Sequence, residues 1–126
     1  MSLKQFFQNK YHDLVLKKCL NLRVAHTDCY IELMDQGESI CMLSTLYENH
    51  KGLPQAFVEE VEALEAKGLC IDIQKGEVLI ARKYDFRSMT PGFFGIHMAQ
   101  FFSEIQRHRK DIDGFKDKEY APIKRK

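Results

Sequence analysis

Several kinds of sequence signal are missing from this chain of 126 residues. It has no G-x-S-x-G, no H-E-x-x-H, no Gly-rich phosphate loop and no G-K-[ST], so the common hydrolase, metalloprotease and nucleotide-binding signatures are absent. The five histidines, His12, His26, His50, His97 and His108, are scattered without a nucleophile beside them in sequence. The chain is therefore expected not to be an enzyme and to need no cofactor. No apolar run approaches the ~18–20 residues of a membrane span, and the N-terminus shows no signal-peptide pattern. A cytoplasmic protein is expected. The four cysteines, Cys19, Cys29, Cys41 and Cys70, form no C-x-x-C pair and lie in apolar stretches, the pattern of buried free thiols rather than a zinc site.

What is present is an ordinary globular composition. With 44% hydrophobic and 29% charged residues, the chain can fold as one domain around a real core, burying roughly two-thirds of its unfolded surface. The net charge of +1 conceals a segregation. Between Asp28 and Lys67 stand nine acidic residues and two basic ones, while Lys4, Lys10, Lys17, Lys18 and Arg23 load the front and Arg and Lys crowd the end. Such a division gives two faces of opposite sign or merely clustered solvated surfaces.

Periodicity supplies the elements. Phe7, Tyr11, Leu14, Val15, Cys19 and Leu22 recur at three- and four-residue spacing, which predicts a helix over 3–22. Leu3, Phe6, Leu16 and Leu20 widen its apolar surface beyond one stripe, so it wants more than one partner. Residues 29–47 read as strands 29–34 and 39–46 about a Gln36-Gly37 turn. Read as helices instead, they would use Thr27 and Ser39 as N-caps and Gly37 as a stop. Gly52 and Pro54 then break the chain, and Phe57, Val61 and Leu64 mark a helix over 54–67 that Gly68 ends.

Residues 69–84, "LCIDIQKGEVLIARKY", place Ile71 and Ile73, then Val78 and Ile80, at alternate positions either side of Lys75-Gly76 and predict a β-hairpin. Thr90-Pro91 begins a last helix in which Phe94, Met98, Phe101, Phe102 and Ile105 share one face to about residue 110. Residues 111–126 are charged and patternless, and a poorly ordered tail is expected after a single domain over 1–110. The order helix, strands, helix, hairpin, helix implies an α+β domain: a twisted antiparallel sheet with helices packed on it.

Two functions fit that order. A helix followed by a hairpin can be the recognition helix and wing of a winged-helix DNA-binding regulator, with 40–50 and 54–67 as its helix-turn-helix. Yet the would-be reading helix carries Glu59, Glu60, Glu62 and Glu65 against Lys67, the wrong sign for phosphate. Nucleic acid is therefore disfavoured.

Read as one piece, "GLP", the hairpin "CIDIQKGEVLIARKYDF" and "MTPGFFGIHMAQFFSEIQRHRK" resemble the C-terminal half of class I type III secretion chaperones, and "MDQGES" resembles the acidic-glycine turn of their first half. The resemblance covers about residues 3–110. It implies a homodimer that binds an extended segment of another protein, such as a secreted effector, rather than performing chemistry. On that resemblance Leu3, Phe6, Phe7, Met34 and Met42 are expected to contact the partner. The helix 54–67, through Val58 and Glu62, and the outward hairpin residues Leu79 and Ala81 are expected at the dimer interface. No metal is expected.

Overall fold

The structure, a computed structural model, describes residues 1–64 and 67–123, with side chains as far as Gly114. Its elements are α1 (Leu3–Gln8), α2 (Tyr11–Lys17), β1 (Cys19–Val24), β2 (Thr27–Met34), β3 (Ser39–Glu48), α3 (Gln55–Glu62), β4 (Leu69–Asp72), β5 (Glu77–Asp85) and α4 (Pro91–Ile123). The strands form one sheet in the order β1-β2-β3-β5-β4, with β1–β2, β2–β3 and β4–β5 pairing antiparallel. This is the α+β class that the sequence predicts.

The N-terminal segment departs from the expected single helix. Ser2 opens α1 with a capping box: its Oγ accepts from Gln5 N–H at 3.1 Å, and Gln5 Oε1 accepts from Ser2 N–H at 3.2 Å. After Asn9 the Lys10 N–H turns back to the Phe7 carbonyl, and a second short helix starts. Lys18, at φ +69°, ends α2, and β1 follows. Residues 19–24 alternate Cys-Leu-Asn-Leu-Arg-Val, which is a strand pattern. Cys19 and Leu22 also fit the spacing of the helix before them, so one period masks the other. The β1–β2 hairpin turns on Ala25-His26, both at positive φ, the combination a two-residue type I′ loop needs. Neither residue is the Asn or Gly that would announce such a turn.

The strands expected over 29–47 are present as β2 and β3. Asp35, Gln36 and Gly37, all at positive φ, form the tight connection expected at Gln36-Gly37. A winged helix needs a helix over 40–50, where β3 runs, so that alternative does not describe this chain.

The chain divides into two compact units. The first comprises Met1–Ser44 and Ala81–Glu104. Its core holds Phe7, Leu14, Ile31, Ile40, Met42, Phe94, Met98 and Phe101, all fully enclosed. Tyr11 stacks on Phe86 at 5.6 Å and meets Phe94 edge-on, and its hydroxyl donates to the Met89 carbonyl. Thr90 caps α4 by accepting from the Phe93 N–H, as expected. Gly95 lets α4 lie close to α1, because a Cβ there would come within 2.6 Å of the Lys4 carbonyl oxygen. Arg82 pairs with Glu104, and Tyr84 stacks on His97 at 4.4 Å.

The second unit comprises Thr45–Ile80 and Ile105–Lys126. Phe57 and Val61 of α3 are fully enclosed, and Tyr47 packs on Phe57 at 4.8 Å. Pro54 is the N-cap of α3 rather than its first helical residue. Gly68 stands at φ +82°, while Glu65 and Ala66 of the expected helix lie outside the described residues. The β4–β5 hairpin has the expected place, with Leu69 facing Ile80 and Asp72 facing Glu77, so that residues 73–76 form the connection. Helix α4 continues to Ile123 with Ile112 fully enclosed, so the backbone is helical where the sequence suggests a tail from 111. Ile112 lies seven residues after Ile105, on the same helix face. No helix among the described residues is long and apolar enough to cross a membrane.

Candidate functional site

Strand β1 lies at one edge of the sheet. Its register with β2, and the bond from Leu33 N–H to the Lys18 carbonyl, fix which backbone groups are already used. In a two-residue hairpin the closing pair, Val24 and Thr27, is hydrogen-bonded, so Leu22 and Leu20 pair likewise with Cys29 and Ile31. The backbone N–H and C=O groups of Cys19, Asn21 and Arg23 therefore point to the outer edge, where no strand among the described residues pairs with them. An unpaired edge of this kind is a template for an added strand.

Alternation sorts the side chains of this region. Thr27, Cys29 and Ile31 of β2 are buried, as are Ile40, Met42 and Ser44 of β3, and the Ser44 hydroxyl donates to the Asp28 carbonyl. The opposite face carries a cross-strand row, Cys19 to Glu32 to Cys41. Glu32 accepts from the Tyr30 hydroxyl at 3.2 Å. Partial burial, with the Glu32 carboxylate adding to it, pushes the Cys41 thiol and the Tyr30 phenol up from their ordinary ranges. A thiol shifted upward carries less thiolate at neutral pH. The four cysteines are thiols; Cys29 is buried as expected, whereas Cys19 and Cys70 are exposed because their strands lie at sheet edges. Among the described residues no group of three His, Cys, Asp or Glu side chains is placed to hold a metal ion.

The residues expected at a partner surface separate by burial. Phe7 and Met42 are fully enclosed, because Phe7 packs against Phe6 and Phe102 and Met42 alternates inward on β3. Leu3 and Phe6 are half-buried, and Met34, at the end of β2, is 39% exposed. In the second unit Val58 is buried, Glu62 exposed and Leu79 half-buried; Ala81, in the first, is half-buried. Leu79 and Ala81 face away from the side on which Val78 and Ile80 are enclosed.

Two features escape the sequence reading. Leu16, on α2, is 78% exposed and Val15 beside it is 36% exposed, although both count toward the apolar surface of the expected helix. The open β1 edge is hidden altogether, because its residues read as the end of that helix.

No protein-family model matches the chain, and no curated protein does. Among solved structures, a chain of the HopA1–SchA chaperone–effector complex matches with a TM-score of 0.54 at 14% identity, over 85% of this chain and 92% of that one. A chain of the ExoT–SpcS complex from Pseudomonas aeruginosa matches with a TM-score of 0.52 at 14% identity, over 85% of this chain and 98% of that one. At such identity the likeness is one of fold: helices on an antiparallel sheet, the arrangement that the sequence resemblance implies.

Proposed function

We propose that the protein is a small cytoplasmic homodimer that holds an extended segment of another protein, in the manner of a secretion chaperone. The observation that carries this reading is the unpaired β1 edge, which offers the outward backbone groups of Cys19, Asn21 and Arg23 to a further strand. Its support is the fold shared with chains of two complexes, one of them a chaperone–effector complex.

In this reading Leu3, Phe6 and Met34 meet the apolar side chains of the bound segment. Phe7 and Met42 back that surface from the core. Methionine suits a surface that accepts varied partners, since its flexible thioether refits to different shapes. The dimer forms through α3 and the outward face of β5, with Glu62, Leu79 and Ala81 at the contact and Val58 holding α3 in place.

Light scattering tests the dimer: a strictly monomeric protein at micromolar concentration refutes it. Amide hydrogen exchange tests strand capture, using a saturating neutral peptide of alternating Thr and Val. Slowed exchange at Cys19, Asn21 and Arg23 is expected. Unchanged exchange at those three amides refutes the β1 site.

A further inference from the structure

The charge around the β1 edge narrows what binds there. Residues 1–24 carry five basic side chains, Lys4, Lys10, Lys17, Lys18 and Arg23, against the single acid Asp13, a balance of +4 in a chain whose total is +1. Lys10 lies over the Phe6 ring at 5.3 Å, and Arg23 pairs with Asp28 at 3.3 Å. Lys4, Lys17 and Lys18 are exposed, and among the described residues they make no ion pair. Lys17 and Lys18 immediately precede β1, and Arg23 lies near its other end. Cations without an ion pair therefore stand at the start of the unpaired edge, while Arg23 near its other end is held by Asp28; Leu16, the most exposed apolar side chain on α2, stands just before the edge.

We infer that the segment captured at β1 is acidic: an extended stretch with an apolar residue for Leu16 and a carboxylate beside it for Lys17 and Lys18. Complementary charge at the rim of such a site speeds encounter and excludes partners of the wrong sign. A second copy of the chain is the competing occupant, since Glu59, Glu60 and Glu62 make α3 acidic. However, α3 is a helix and cannot present the extended row of backbone donors and acceptors with which a strand edge pairs. The inference rests on the strand capture proposed above.

The test uses two fluorescein-labelled peptides of alternating Leu and Thr, one carrying Glu at both ends and one carrying Lys. The Glu peptide is expected to slow exchange at Cys19, Asn21 and Arg23 and to bind about tenfold more tightly than the Lys peptide. It is expected to weaken as ionic strength rises. K17E/K18E is expected to weaken the Glu peptide by about tenfold and K17Q/K18Q by less, with the fold checked by circular dichroism. If both peptides bind equally well and protect β1, strand capture stands and the acidic preference falls. If neither protects β1, both fall. Self-association that K17E/K18E abolishes, read by light scattering, assigns the basic surface to a second copy and overturns the inference.

Discussion

Substitution of Gly76 by alanine tests how the β4–β5 hairpin is anchored. Gly76 sits at φ +70°, and its carbonyl accepts from the Asn49 N–H at 2.8 Å. A Cβ built there would come 2.0 Å from the Asn49 carbonyl oxygen and 3.1 Å from its carbon. Those atoms are backbone, and the same oxygen accepts from the Gly52 N–H, so they cannot swing aside as a side chain would. The positive φ costs an L-residue about 1–2 kcal/mol. Loss of the Asn49–Gly76 hydrogen bond adds about 0.5–1.5 kcal/mol. Residual crowding adds about 1–2 kcal/mol, and reduced freedom of the unfolded chain returns about 0.4–1 kcal/mol. The net is about 3 kcal/mol.

Gly37 supplies the control, because it stands at φ +89° with nothing within 4 Å of a built Cβ. Gly37→Ala is expected to cost only the conformational part, about 1 kcal/mol. Urea unfolding followed by circular dichroism measures both variants. Equal losses for G76A and G37A would refute the claim that backbone contact, rather than φ alone, demands glycine at 76.

Three further outcomes are expected. Replacing Ala25-His26 with Asn-Gly relieves two left-handed residues and should raise the urea midpoint by about 1 kcal/mol of stability with an unchanged m-value. Gly95→Ala should cost about 1–3 kcal/mol and speed amide exchange in α1, since the added methyl meets the Lys4 backbone; unchanged exchange there would refute the close approach. Asp85 is held at about 2, below the ordinary carboxylate value of 3.8, first by the Arg87 side-chain hydrogen bond and then by the Arg87 backbone N–H. Its folded value is depressed, so its stabilising contribution is full above 3.8 and is lost as pH falls toward 2. Arg87→Leu should move the Asp85 titration, followed by NMR, back toward 3.8 and flatten the stability change across that window.

The proposed partner surface was only partly legible in the sequence. Phe6 and Phe7 look equivalent as neighbours on an apolar helix, yet Phe7 is enclosed while Phe6 stays half-buried. Met34 and Met42 look alike too, but strand parity turns Met42 inward and leaves Met34 outside. Parity cannot be assigned until register is known, and register between β2 and β3 depends on the Asp35–Gly37 turn. The β1 edge was lost because its turn lacks glycine and its apolar residues also satisfy helical spacing.

The sequence by itself determined the elements whose local signals agree. These are the β4–β5 hairpin about Lys75-Gly76 and the Thr90-capped helix with its Phe-rich face. In each, periodicity and turn chemistry name the same conformation. Only the tertiary structure decided that residues 19–24 leave the helix to become an edge strand, and that Leu16 and Lys18 stand beside it. A strand at a sheet edge is defined by which neighbour it has and which it lacks, and that depends on residues far along the chain.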